Sequence, residues 1–264
     1  MNWIGDIMFI EERHEKILEI LKYKKRVEVQ ELSELFKVSE DTIRRDLRIM
    51  EQKGKVHRTY GGAILPEKVN SYKDFTVREK IKTDVKESIA AIAASFIQEH
   101  DTILLDGSTT VAKIIPLLSN FKDLTVITNS IAISHDIVIH CPNIKLYITG
   151  GLVKNDVANV ISIEGVNDIE KLYVDKVFLT ALSISHSGEL TTPIIEEAYI
   201  KEAMLKAGRE IYILADSSKF GQKSLAEFGK IKSEYTIITD DKLPDEIQHD
   251  LKDLINRGLK IISK

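Results

Sequence analysis

The sequence predicts an α/β protein in two parts: a small N-terminal head of helices closed by a hairpin, and a larger body on a mostly parallel sheet. Three observations predict it. Residues 39–62, SEDTIRRDLRIMEQKGKVHRTYGG, space apolar side chains as a helix does and then place a Gly-Gly pair between β-capable residues. Beyond residue 100, apolar runs of strand length alternate with helical patterns, as in a sheet covered on both faces. Basic residues concentrate in the first part, while the remainder carries an excess of acids. At 264 residues the chain is long enough for one small core and one sizeable one.

In the head, Ile17, Ile20 and Leu21 give the first helix an apolar side, and Val27 and Val29 suit a short strand. Leu32, Leu35 and Phe36 repeat helical spacing, and the link from Phe36 to Ser39 is very tight. Helices joined so closely cross steeply, as in a helix-turn-helix. Ser39 is a good N-cap for the next helix, and Gly54 a good stop. Ile43, Leu47 and Met50 form one apolar stripe. At about 100° per residue, Arg44, Arg45 and Arg48 project away from it. Residues 55–65 then suit a hairpin.

Within residues 42–60, six basic residues (Arg44, Arg45, Arg48, Lys53, Lys55, Arg58) stand against two acids (Asp46, Glu51). A local basic surface suits duplex DNA, where phosphate contacts give affinity and base-edge contacts give specificity. The candidate contacts are Ser39, Thr42, Arg44, Arg45 and Arg48 on the helix, with His57, Arg58 and Tyr60 on the hairpin. Charge alone would equally describe a solvated helix. The order of helix, tight turn, capped arginine helix and basic hairpin favours DNA.

Residues 66–76 are polar and aperiodic and read as a linker. Residues 78–99 read as one long helix burying Ile89, Ile92, Ala93, Phe96 and Ile97. Strands are expected over 102–106, 124–128, 145–149, 176–182, 210–215, 235–239 and 259–262, with helices over 109–118, 131–140, 195–207 and 245–257. In such sheets ligands bind at the carboxyl ends of the strands. Those ends read Asp106-Gly107-Ser108-Thr109-Thr110, Asn129-Ser130, Gly150-Gly151, and Asp216 through Lys219 to Gly221. Small hydroxyl residues and glycine at helix starts offer backbone N–H groups to an anion. Each loop alone also reads as an ordinary cap or turn. Together they suggest a small polar ligand carrying a phosphate.

Residues 11–65 closely resemble the DNA-binding domain of DeoR-type bacterial regulators, through EERHEKIL, VSEDTIRRDL and GKVHRTYGGA. The resemblance implies a winged helix-turn-helix over 9–65, a linker over 66–76 and a sensor domain over 77–264. The body is similar to the DeoR sensor over about residues 78–262, through LLDGSTT, TVITNS, ITGG, ILADSSKFG and IITD. That sensor is similar in fold to ribose-5-phosphate isomerase, which implies a phosphorylated sugar as effector. On matching positions the pocket comprises Asp106, Gly107, Ser108, Thr109, Thr110, Asn129, Ser130, Gly150, Asp216 and Lys219. Two departures stand out: Ser183 where glycine is expected, and a poor match over 155–162. The resemblance further implies a cytoplasmic repressor of carbohydrate-metabolism genes, binding operator DNA as a homo-oligomer, dimer or tetramer.

The alternative is a sugar-phosphate isomerase or deaminase carrying a DNA-binding head. Such an enzyme needs a carboxylate near the sugar carbons. The expected strand 176–182 runs into Ser183-Ile184-Ser185, which has none, although Glu196, Glu197, Asp106 and Asp216 remain. Neither a dinucleotide nor an NTP phosphate motif is present. His135, His140 and Cys141 come nearest to a metal cluster, but the five-residue step does not share a helix face and Pro142 ends the helix. A lone cysteine excludes an internal disulfide and fits a reducing compartment. No apolar run reaches membrane-spanning length, and MNWIGDIMFI lacks the basic start of a secretion signal. No cofactor, metal or membrane is expected.

Overall fold

Apolar side chains from along the head meet in one core: Ile17, Leu21, Val27, Leu32, Ile43, Leu47, Met50, Val56 and Ala63. The computed structural model describes residues 10–52, 55–64 and 75–263. The chain divides into two units, residues 1–68 and 69–264. The first contains α1 (Ile10–Lys24), β1 (Arg26–Glu28), α2 (Val29–Phe36), α3 (Glu40–Gln52), β2 (His57–Thr59) and β3 (Gly62–Ile64). Its strands form an antiparallel sheet in the order β1-β3-β2.

The tight link between α2 and α3 depends on Lys37, which adopts φ 53° and turns its N–H back to the Ser33 carbonyl. A left-handed residue ends a helix within one step. The Gly-Gly pair divides two tasks. Gly61 turns the hairpin at φ 87°. Gly62 lies so close to β1 that a Cβ would sit 2.0 Å from the Val27 carbonyl oxygen. Any side chain there would part β1 from β3. The stop expected at Gly54 lies outside the described residues.

The second unit begins with α4 (Phe75–Glu79), α5 (Thr83–Ala94), β4 (Thr102–Leu105), a 3-10 helix (Val111–Leu118), β5 (Thr125–Thr128), α6 (Ile131–His140) and β6 (Lys145–Ile148). There follow β7 (Val153–Lys154), β8 (Asn159–Val160), α7 (Ile163–Ile169), β9 (Val174–Leu179), β10 (Ser183–Ile184), β11 (Glu189–Thr192) and α8 (Ile195–Ala207). The rest is β12 (Gly208–Leu214), a 3-10 turn (Ser217–Lys219), β13 (Ala226–Lys230), β14 (Thr236–Thr239), α9 (Asp245–Asp250), α10 (Lys252–Asn256) and β15 (Lys260–Ser263).

The seven strands read from the sequence form one parallel sheet, ordered β15-β14-β12-β9-β4-β5-β6. Successive side chains on a strand face opposite ways. Ile103, Leu105, Val126, Phe178 and Leu214 therefore pack on one face with α5, the 3-10 helix and α6. Leu104, Ile127, Val177, Leu179 and Ile213 pack on the other, with α8. Burial on both faces explains the unbroken apolar runs.

Four expectations need correction. The helix read over 78–99 is broken: Lys82 adopts φ 53° between α4 and α5, and after Ala94 the chain tightens into three-residue turns. The 109–118 stretch is a 3-10 helix, because Pro116 lies inside it without an N–H to donate. The helix over 245–257 is two short ones meeting at Leu251. The strand over 176–182 ends at Leu179, because the next N–H, of Thr180, donates to the Asp106 carboxylate rather than along the ladder. Ser183-Ile184 belongs instead to a small antiparallel sheet, β10-β11-β13. Of the expected linker, residues 66–74 lie outside the described residues, while Phe75 and Thr76 open α4.

Candidate DNA interface and effector pocket

Ser39 caps α3: its Oγ accepts from the Thr42 N–H at 3.2 Å and lies 2.9 Å from the Thr42 hydroxyl. Ile43, Leu47 and Met50 are buried, while Arg44, Arg45 and Arg48 are exposed on the opposite side. The Arg44 guanidinium donates to Glu40, one turn earlier, at 2.8 Å. The Arg58 N–H donates to Glu51 Oε1 at 2.9 Å, tying the hairpin to the end of α3. Tyr60 stands fully exposed at the hairpin tip, and His57 opens β2.

Asp46 does not belong to the outer surface. It is buried, 2.5 Å from Arg13 Nε and 3.2 Å from His14 Nε2, and so bolts α1 to α3. One of the two acids counted against the arginines is thus withdrawn from the outer face. The signal was present: positions 43, 46, 47 and 50 share one helical stripe, so an acid at 46 had to enter the core.

In the second unit, consecutive parallel strands end along one rim. They deliver, in order, Asp240, Asp216, Thr180, Asp106, Asn129 and Thr149-Gly150. Asp106 is buried, and its Oδ2 accepts from Lys201 Nζ (2.6 Å), the Thr180 N–H (3.0 Å) and the Thr180 hydroxyl (2.9 Å). Gly107 donates to Asn129 Oδ1 at 3.2 Å and accepts from Asn159 Nδ2 at 2.8 Å. A Cβ on Gly107 would fall 1.9 Å from the Asn159 carboxamide oxygen. The poorly matching 155–162 segment thus supplies the turn and second strand of the β7–β8 hairpin, which presses Asn159 onto this loop.

Ser108 and Ser130 act as caps, Ser108 Oγ accepting from the Val111 N–H (3.1 Å) and Ser130 Oγ from the Ile133 N–H (3.4 Å). Thr109 is buried and Thr110 half-buried. Gly150 is exposed, and its carbonyl accepts from Ser162 at 3.3 Å.

Asp216 and Lys219 have company that the sequence reading missed. Asp216 Oδ1 accepts from Lys82 Nζ (2.5 Å), the Ser218 N–H (3.2 Å) and the Ser218 hydroxyl (2.5 Å). The left-handed turn at Lys82 carries this lysine to the rim. Lys86 is buried and donates to the Arg78 carbonyl. Lys86 feels the charges of Lys219, Asp216 and Arg78, and Lys219 feels those of Asp216, Lys82 and Arg78, so the four cations gather at the Asp216 corner of the rim. Burial, then the Lys219 charge, pulls the Lys86 ammonium down to about 8. Burial likewise lowers Lys219, helped by Lys82 and Arg78 and opposed by Asp216. Burial pushes the Asp216 carboxyl up, but Lys219, Lys82 and Ser218 outweigh it and hold it below its ordinary range. Cations crowded into a partly buried corner suit an anion, which would relieve their repulsion. Four-residue spacing at 78, 82 and 86 was the available clue.

A DeoR-like helix-turn-helix domain model matches residues 13–69, and a DeoR C-terminal sensor domain model matches residues 81–241. The chain belongs to the DeoR family of transcriptional regulators. It is 33% identical to the HTH-type transcriptional repressor GlcR of Bacillus subtilis (strain 168), over 93% of this chain and 94% of that protein. It is 34% identical to the uncharacterized HTH-type transcriptional regulator FruR of the same organism, over 89% and 92%. Ribose 5-phosphate isomerase A of Methanocaldococcus jannaschii shows a partial likeness of fold, with a TM-score of 0.39 at 17% identity over 52% of this chain and 54% of that one. As a DeoR-family regulator the chain is a DNA-binding protein. Among the described residues no helix is long and apolar enough to cross a membrane.

Proposed function

We propose that this DeoR-family regulator is a cytoplasmic repressor of carbohydrate-metabolism genes, released from its operator by a phosphorylated sugar. It acts as a homo-oligomer, dimer or tetramer, so that two heads meet successive major-groove faces. Ser39, Thr42, Arg44, Arg45 and Arg48 of α3 face the DNA, with His57, Arg58 and Tyr60 on the wing. The repressor named among its relatives supports the sign of regulation. The observation that carries the effector reading is the crowd of Arg78, Lys82, Lys86 and Lys219 around Asp216 at the carboxyl rim. The sugar phosphate sits there, its ring toward Thr109 and Thr110.

Binding proceeds without turnover. Asp106 is held by Lys201 and Thr180, and Glu197 accepts from Thr192 at 2.5 Å while lying 3.8 Å from Lys201. Neither carboxylate is poised to move a proton on a sugar carbon. Incubation with pentose and hexose phosphates is expected to return them unchanged, and any isomerised product would overturn this.

Replacing Arg44 or Arg45 by alanine is expected to cost roughly 1–3 kcal/mol of operator binding for whichever reads a base. Titration of a labelled promoter fragment checks this, and unchanged affinity in both variants would remove the α3 assignment. A pH dependence follows from Lys86. It is charged below pH 8 and neutral above, against 10.5 for an ordinary lysine. The phosphate stays a dianion across this range, its second pKa lying near 6. Effector affinity is therefore expected to fall between pH 7 and 9, as calorimetry at the two pH values would show. Folding has the opposite sign. Holding Lys86 charged inside the protein lowers stability below pH 8, and the loss is recovered as pH rises toward 10.5.

A further inference from the structure

The seven-stranded sheet ends at β6, and its outer edge is unlike the other one. At β15 the edge strand carries exposed Lys260 and Ser263, with Ile261 and Ile262 half-buried. Charge and cover of this kind blunt a sheet edge. At β6, Tyr147 is 57% exposed and Ile148 46%. The N–H groups of Lys145 and Thr149 turn inward to β5. By alternation those of Leu146 and Ile148 point outward, where no strand pairs with β6 among the described residues.

The elements flanking β6 share its character. α6 packs beside both β6 and β8. It buries Ile133 and Ile137 in the core, yet exposes Val138 (68%) and Ile139 (55%) on its other side. His135 and Asp136, paired at 3.4 Å, share that exposed side with them, so the apolar positions are the ones left without a partner there among the described residues. Leu152 (75% exposed) and Val153 extend the patch. Residues 137–153 contain one lysine and no acid in a chain that is 30% charged.

We infer that this face, α6 with the open edge of β6, is the contact through which two copies of the sensor domain associate. The inference rests on the homo-oligomer proposed above and names its surface. Val138, Ile139, Tyr147, Ile148, Leu152 and Val153 together expose on the order of 700 Å², close to the roughly 800 Å² per partner that a standard stable interface buries. A two-fold axis across β6 pairs it antiparallel with its copy and satisfies the outward N–H and carbonyl groups of both. The outward groups lie at 146 and 148, so the centred register pairs Leu146 with Ile148 of the copy and sets each Lys145 opposite Thr149, where like charges do not meet. An isologous contact of this kind closes on itself and gives the paired heads that a symmetric operator needs.

Sedimentation of the full chain at micromolar concentration tests it, with Tyr147→Lys and Val138→Lys as variants. Both side chains are exposed, so the fold is expected to persist, with an unchanged circular dichroism melt. The wild type is expected to be a dimer, or a tetramer, and each variant to fall by one step, with a dissociation constant raised at least about 100-fold. Variants that keep the wild-type mass and affinity would overturn this face while leaving the oligomer in place. A monomeric wild type would overturn both. Should a variant unfold, amide exchange on the wild type decides. The Leu146 and Ile148 amides are expected to be protected in the oligomer and to lose protection on dilution, and protection independent of concentration would contradict the contact.

Discussion

Replacing Asp106 by alanine is expected to destabilise the sensor domain by about 3–5 kcal/mol, even with no effector present. The physical reason is Lys201. Its ammonium is buried in α8, 2.6 Å from Asp106 Oδ2, with the Thr180 carbonyl at 2.9 Å and the Phe228 ring below it. Without the carboxylate, that cation remains inside, partnered only by dipoles and the more distant Glu197. The Thr180 N–H and hydroxyl lose their acceptor as well. For a domain of this size the melting temperature would drop on the order of 10 °C. A double replacement, Asp106→Asn with Lys201→Met, removes both charges and is expected to recover most of the loss, because a buried ion pair contributes little beyond an apolar pair. Thermal unfolding of the three variants checks this. If Asp106→Ala melts with the wild type and only the effector response changes, the acid is a ligand contact rather than a brace for the rim.

Lys219→Ala is expected to leave operator binding within about twofold of wild type and to weaken the effector roughly 10- to 150-fold. That range corresponds to a charge-assisted hydrogen bond of about 1.5–3 kcal/mol. The lysine stands beside Asp216 at the end of β12, where Lys82 and Lys86 already crowd it. Removing one cation relieves repulsion in the free protein, so apo stability is expected to hold or rise slightly. The phosphate then meets a weaker field. The balance between operator-bound and released states shifts only by the effector's differential affinity. Release therefore needs correspondingly more sugar phosphate. Thermal shifts with phosphorylated sugars, alongside operator titrations, check both halves. A variant that responds like wild type would move the phosphate elsewhere on the rim.

The central sheet was legible for a physical reason. Its strands bury both faces, so 102–106, 124–128 and 210–215 appear as nearly pure apolar runs. The sheet β10-β11-β13 gave no such signal, since Ser183, Thr191, Thr192 and Glu227 are polar and its strands are short. The arginines of α3 were readable because Ile43, Leu47 and Met50 set the phase of the helix. In the pocket, Asp216 and Lys219 stood out within ILADSSKFG, whereas Arg78, Lys82 and Lys86 fell inside a stretch read only as one long helix. What hid them was the kink. A lysine at φ 53° carries no sequence signature, and only that turn aims Lys82 at Asp216. Asn159 was missed because its role lies in a contact with Gly107, 52 residues away in sequence.

The most direct measurement is fluorescence anisotropy of the full chain on a promoter fragment and on random duplex, across a salt series, with and without a panel of sugar phosphates. Tighter, salt-sensitive binding to the promoter, loosened by at least one phosphorylated sugar in the wild type but not in Lys219→Ala, is the expected result. Equal binding to both duplexes, or promoter binding that no sugar phosphate alters, would contradict a head governed by an anion held at the sensor rim.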